Sequence, residues 1–180
     1  TGYKKKLIEV ALPLEAINHG AKPETENPFL KGHPRSIHNW WARTPLSVCR
    51  AILFAQLIDD PGNDLPPDEA EQERQKLLDF VARLATWEAT TDEDLIREAR
   101  QMILDQFGGR APDFWDMFAG RGSIPLEAQR LGLRVRSSDL NPVAVLINKA
   151  LLEIPPKFTG QAPVNPTDQR RNLGAVWKGA

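Results

Sequence analysis

The sequence predicts an α/β fold with a helical N-terminal region and a helical insertion, and three observations carry that expectation. The run DFWDMFAGRGSIPLEA, Asp113 to Ala128, reads as a short apolar strand, a glycine turn and the start of a helix. The run RVRSSDLNP, Arg134 to Pro142, reads as a second strand, Val135 to Ser138, closed by the acid Asp139. Upstream of both, the apolar residues recur at helical rather than alternating spacing.

Composition sets the outer limits. The chain has 180 residues, 41% of them hydrophobic, which suits one ordinary soluble domain or an incomplete larger one. Its single cysteine, Cys49, excludes an internal disulfide, and Cys49 with His19, His33 and His38 lacks the paired spacing of a zinc site, so no metal is expected. No apolar run reaches membrane-spanning length, and Lys4 to Lys6 are not followed by a signal-peptide core, so a cytoplasmic, membrane-free protein is expected. The net charge of −1 conceals three blocks: +4 over residues 1–58, −8 over 59–111 and +3 over 112–180.

The first block, 1–58, is an N-terminal region with one core helix. Thr44 is placed to cap that helix with Pro45 in its first turn, and Leu46, Val48, Ile52, Leu53, Ala55 and Leu57 make it apolar nearly all round before Asp59, Asp60 and Pro61 end it. Ahead of it, HPRSIHNWWAR (His33 to Arg43) sets two adjacent tryptophans among basic residues. Trp40 and Trp41 cannot both face one core, so one ring belongs near a surface or ligand. Two readings stay open: aromatics wedged between layers, or the wall of a cofactor or base pocket.

The acidic insertion, 59–111, holds two helices. One runs from Asp68 to Trp87, with Leu77, Leu78, Phe80, Val81 and Leu84 on one side and Asp68 as its cap. The other runs from Thr91 to Phe107, with Thr91 and Asp94 approximating a capping box and Gly108 and Gly109 as its stop. Its polar face is either solvated or an acidic docking surface for a partner. The third segment, 112–156, is the ligand-binding βαβα half, and the tail, 157–180, is turn-rich, with Ile154-Pro155-Pro156 ending the last helix. Arg134, Arg136, Arg170, Arg171 and Lys178 face either solvent or phosphates.

The chemistry lies in the glycine turn. Asp116 ends the first strand, where it can accept from an ammonium group or from the loop's amides, and Gly120 and Gly122 permit φ > 0 and close approach of a ligand. Asp139 stands seventeen residues after Gly122, at the end of the second strand, where its carboxylate can take both hydroxyls of a ribose. Leu140 can lie on an adenine, and Asn141 with Pro142 opens the next helix, whose Val143, Val145, Leu146, Ile147 and Ala150 are expected to be mostly core. A dinucleotide fingerprint needs a third glycine where Pro125 stands, and a phosphate-binding loop needs a Gly-Lys-Ser/Thr that is missing. A ligand with a ribose and an ammonium but no phosphate fits better, and S-adenosylmethionine is such a ligand.

These residues carry a family resemblance. FWDMFAGRGSIPLEA and SDLNPVAVLINKA resemble the cofactor motifs of amino-group DNA methyltransferases, whose first motif usually reads Asp-Pro-Phe-x-Gly-x-Gly. IEVALPLEAINHGA, HNWWARTPLSVCRAILFAQLIDDP and LATWEATTDE resemble the N-terminal domain, of unassigned role, of adenine-specific DNA methylases that carry a zinc ribbon, many of them linked to anti-phage systems. The resemblance implies an incomplete Rossmann-like S-adenosylmethionine-dependent methyltransferase, DNA as its partner through the full-length enzyme, and defence-system proteins as further partners. It places Asp116, Phe118, Ala119, Gly120 and Gly122 around the methionine part, Asp139 on the ribose, Leu140 against the adenine, Thr44 and Pro45 at the carboxylate end, and Asn141 among the cofactor-binding residues.

Three departures qualify the match. Met117 replaces the usual proline, and Arg121 replaces a small residue, where it would crowd the pocket or pair with a nearby acid. The Asn/Asp-Pro-Pro-Tyr/Phe run that holds the target amine is missing; Asn27-Pro28-Phe29, Asp60-Pro61-Gly62, Asn141-Pro142-Val143 and Asn165-Pro166-Thr167 all lack the second proline. The chain is therefore expected to be an N-terminal fragment, inactive alone, of an enzyme that methylates the amino group of adenine in DNA. Two alternatives stand: a non-catalytic module that holds the cofactor or a partner, and an RNA or protein amino-group methyltransferase.

Overall fold

The computed structural model describes residues 2–27, 30 and 33–161. Asn165, Arg170, Arg171 and Lys178, and most of the Asn27-Pro28-Phe29 run, lie outside them. The chain proceeds through α1 (Leu7–Val10), α2 (Leu14–Gly20), α3 (Lys22–Glu26), α4 (Leu46–Leu57), α5 (Pro67–Leu84), α6 (Glu93–Gln106), β1 (Asp113–Asp116), α7 (Ser123–Arg130), β2 (Arg134–Ser137), α8 (Pro142–Asn148) and α9 (Ile154–Phe158). A π-helical turn, Lys149–Glu153, joins the last two helices.

The centre is α4. Apolar nearly all round, with Gln56 exposed near its C-terminal end, it packs against α1, α2, α5, α6 and α7. One core cluster joins Leu7, Ile17, Phe54, Val81, Leu84, Ile103, Ala128, Leu131 and Leu133. That core runs without a break across positions 58 and 111, so the acidic helices pack as part of it. Their polar sides are the exposed ones, as their amphipathic spacing requires.

Within this core, α4 carries a cation. Arg50 and Glu127 are both fully buried, and Arg50 Nε lies 2.7 Å from Glu127 Oε2. Arg50 Nη2 also donates to Thr90 Oγ1 at 2.9 Å, and Arg130 Nη1 lies 3.4 Å from the second oxygen of Glu127. Fully desolvated charges are tolerated only when paired and hydrogen-bonded in this way, so the pair fixes α4 against α7.

β1 and β2 are parallel, with Asp113 opposite Arg134 and Asp116 opposite Ser137, and α7 forms the crossover between them. Among the described residues these are the only strands. The expectation that α8 is mostly core is corrected: Ala144, Ile147 and Asn148 are buried, but Val143, Val145 and Leu146 are exposed. No element among the described residues covers the Val143, Val145 and Leu146 side of the helix. Ile154-Pro155-Pro156 opens α9 rather than ending the last helix, since proline is accepted in a first helical turn, where its missing N–H is not needed.

Three expected caps also move. α5 begins at Pro67 after Pro66, not at Asp68. α6 is capped by Asp92, whose side chain accepts from the Leu95 amide at 2.9 Å, so the Thr91 box is not used. Thr44 does not cap α4. That task falls to Glu24, a buried residue of α3, which accepts from the Leu46 amide at 2.7 Å and the Ser47 amide at 2.8 Å. Ser47 Oγ and His33 Nε2 complete its shell at 2.5 and 2.9 Å. His33 Nδ1 accepts from the Arg35 amide at 3.0 Å, so Nε2 carries the ring proton and donates it to Glu24, and the ring stacks on Trp87.

Burial pushes the Glu24 carboxyl up, but the hydrogen bonds from His33, Ser47 and Leu46 outweigh it and bring the group down to about 2 from an ordinary 4.5. A depressed carboxyl stabilises the fold fully above pH 4.5, and that contribution is lost as pH falls from 4.5 toward 2. Urea unfolding at stepped pH checks this: Glu24→Gln is less stable than the parent at pH 7, and the gap closes across that window. For the ion pair, Glu127→Ala is expected to lower stability by about 3–5 kcal/mol, because it strands a buried cation. The double change Arg50→Met with Glu127→Leu is expected to recover most of that loss in the same measurement.

Candidate functional site

The loop between β1 and α7 is built from Asp116 to Gly122 and is held from several directions. The ladder continues past the strands, with the Ser138 amide donating to Asp116 O at 2.9 Å and the Ala119 amide to Ser138 O at 3.0 Å. Asp116 Oδ1 accepts from the Phe118 amide at 3.0 Å, so this carboxylate shapes the loop. Gly120 and Gly122 adopt φ of 52° and 86°, the left-handed region that their lack of Cβ opens.

Asp139, at the end of β2, spans the loop. Its Oδ2 accepts from the Gly120 amide and its Oδ1 from the Asn141 amide, both at 2.8 Å. Those amides, Asn141 first and then Gly120, hold the carboxyl below its ordinary range and keep it charged. Each carboxylate oxygen can accept a further hydrogen bond, so the group that braces the loop retains acceptor capacity toward a diol. Asn141 caps α8 as its position predicts, its side chain accepting from the Val143 amide at 2.9 Å.

Two further side chains clasp the loop. Asn148 Nδ2 donates to Gly120 O and to Ala144 O, both at 2.8 Å, and the buried Oδ1 has no hydrogen-bond partner among the described residues. Sequence reasoning missed Asn148; the available signal was one amide in the otherwise apolar run VAVLIN. Trp40 is half-buried with its indole nitrogen 3.0 Å from where a Cβ on Gly120 would stand. Its neighbour Trp41 meets it edge-on at 5.0 Å between centroids and is 84% exposed. One ring therefore packs on the loop and the other faces out, as adjacent positions demand.

The remaining positions fall around this frame. Phe118 and Leu140 are 79% and 94% exposed and flank the loop as an open apolar ledge. A cleft of about 560 Å³ lies beside Asp139, between β2 and α8, bounded by Trp115, Asn148 and Glu153. Thr44 reaches the loop through its carbonyl, which accepts from Arg121 Nη2 at 3.3 Å, and Pro45 is the residue from which α4 starts. Arg121 pairs with no acid among the described residues: it is buried, and it also donates to Ser123 Oγ at 3.2 Å. Cys49, buried in α4, is no nucleophile, since burial and then the neighbouring Glu127 and Glu24 charges push its thiol up to about 12.

Comparison with known proteins adds one finding. A family model described as a protein of unknown function (DUF1156) matches residues 11–80. That segment runs from before α2 into α5 and takes in Glu24, Trp40, Trp41 and Arg50, but stops short of the glycine loop. No curated protein and no solved structure matches the chain. Among the described residues, no helix is long and apolar enough to cross a membrane.

Gly122 offers a direct check on the loop. A Cβ there would lie 2.6 Å from Asn148 Oδ1, on a backbone at φ 86°. Gly122→Ala is therefore expected to destabilise the chain by about 1–3 kcal/mol in urea unfolding, through backbone strain and displacement of the Asn148 clasp. Gly109→Ala, with nothing within 4 Å of the added Cβ, carries the backbone strain alone and is expected to cost less.

Proposed function

We propose that this chain is the cofactor-holding part of an S-adenosylmethionine-dependent methyltransferase that acts on the exocyclic amino group of adenine in DNA. The observation that supports it most is the clasp of Asp139 on Gly120. A charged carboxylate at the end of the second parallel strand, locked to the glycine loop after the first, is what a ribose next to that loop requires. Asp139 would take the ribose hydroxyls, Leu140 the adenine face, and Gly120 and Gly122 would give the methionine part close backbone approach. The cofactor supplies the methyl group; these residues bind and orient it.

The adenine and DNA assignments rest on the resemblance of FWDMFAGRGSIPLEA and of the Trp-Trp-Ala-Arg-x-Pro-Leu run to amino-group DNA methylases. In this reading the Asn/Asp-Pro-Pro-aromatic run belongs to chain outside this segment, and the exposed Val143, Leu146 and Trp115 are covered by further strands. A second reading, a module that holds the cofactor without chemistry, uses the same residues.

Titration calorimetry tests the shared part of both. S-adenosylmethionine is expected to bind the parent chain, and Asp139→Ala to weaken binding roughly tenfold or more, the loss expected when hydrogen bonds to a charged acceptor are removed. Equal affinity of two folded proteins, verified by circular dichroism, would remove the ribose assignment.

A further inference from the structure

Trp40 holds a polar group against the glycine loop that the chain itself does not use. Its indole nitrogen is the atom nearest the place where a Cβ on Gly120 would stand, at 3.0 Å, with Cε2 and Cδ1 behind it at 3.6 and 3.8 Å. The N–H edge of the ring is therefore turned to the loop. Among the described residues that N–H has no hydrogen-bond partner, although an indole drawn out of water ordinarily finds one. A side chain at position 120 would cover it, so glycine there leaves the donor open as well as permitting a φ of 52°. The ring is also flanked by Trp41, edge-on at 5.0 Å between centroids, and by His38 at 6.4 Å.

The loop's own donors are largely spent. The Phe118 amide goes to Asp116 Oδ1, the Ala119 amide to Ser138 O, the Gly120 amide to Asp139 Oδ2 and the Gly122 amide to Ala119 O. A negative group lying against Gly120 meets those amides already occupied, and Trp40 Nε1 is the free N–H turned to it. We propose that Trp40 donates this hydrogen bond to the α-carboxylate of S-adenosylmethionine, and so selects for the amino-acid part of the cofactor. The proposal rests on the cofactor reading above, in which the methionine part lies along Gly120 and Gly122. That part carries an ammonium and a carboxylate. An N–H repels the first and suits the second, and a hydrogen bond to a charged acceptor is roughly twice as strong as one between neutral groups. Asp116, whose second oxygen receives no hydrogen bond among the described residues, has the opposite preference and suits the ammonium. Trp40 lies within residues 11–80, so the segment matched by the family of unknown function gains a part in holding the ligand.

Calorimetry on the whole chain tests this with two ligands. S-adenosylmethionine carries the amino-acid part, whereas 5′-methylthioadenosine has the nucleoside and the sulfur without it. Trp40→Phe keeps an aromatic ring on Gly120 and deletes the N–H. It is expected to weaken S-adenosylmethionine about tenfold, the loss of one hydrogen bond to a charged group, and to leave 5′-methylthioadenosine unchanged. Asp139→Ala is expected to weaken both, because both carry the ribose. Parental affinity of Trp40→Phe for S-adenosylmethionine overturns the proposal, and if Asp139→Ala still weakens binding, the cofactor reading stands without it. Equal losses for the two ligands also overturn it, since the ring then serves the nucleoside or the loop. Failure of the parent to bind S-adenosylmethionine removes the proposal together with the cofactor reading. A second measurement needs no variant: the Trp40 indole proton, assigned in NMR spectra by its proximity to Gly120, is expected to move downfield and exchange more slowly with S-adenosylmethionine but not with 5′-methylthioadenosine. The same response to both ligands, or to neither, overturns the proposal.

Discussion

The buried pair Arg50 and Glu127 is the constraint on which the rest of the structure depends. It joins a residue in the middle of α4 to one in the middle of α7, 77 positions apart, with both side chains fully out of water. Neither helix could place its charge there alone, because an unpaired buried ion costs several kcal/mol. α7 is also the helix that the glycine loop opens, so whatever fixes α7 on α4 fixes the loop. The acidic helices α5 and α6 then close the core around the pair, and Thr90, in the turn between them, supplies a further acceptor for Arg50.

From that anchor the loop inherits rigidity by short steps. Trp40 covers Gly120, Asn148 grips its carbonyl and Asp139 its amide. Side chains from the N-terminal region and from the stretch between positions 139 and 148 therefore converge on one glycine, and a ligand would meet a surface whose shape is already set. Such preorganisation is what lets binding energy go to the ligand rather than to ordering the loop. The N-terminal region contributes through Trp40 and Thr44, which gives a physical sense to its joining the βαβ unit in one chain.

What was legible in the sequence was local. The glycine loop, the Asn141 cap, the spacing that makes α5 and α6 amphipathic, and the outward turn of one of two adjacent tryptophans all follow from neighbours within a few residues. What escaped was set at a distance. Thr44 looked like the cap of α4 because it precedes Pro45, but a carboxylate from α3 reaches those amides first. Arg50 is paired with a residue 77 positions away, and its only local signal is a cation standing among Val48, Ile52 and Leu53 in an otherwise apolar helix. The apolar composition of α8 reads as core, but composition does not say which of its sides another element covers.

Hydrogen exchange on the intact chain measures most directly whether the helical region and the βαβ unit are one cooperative structure held by Arg50 and Glu127. The account predicts that the slowest amides of α4 and of α7 open with the same free energy, and that Glu127→Gln lowers both by the same amount. Exchange in α7 and the strands that accelerates while α4 keeps its protection would contradict it. The helices would then form a core of their own, and the glycine loop would owe its shape to something else.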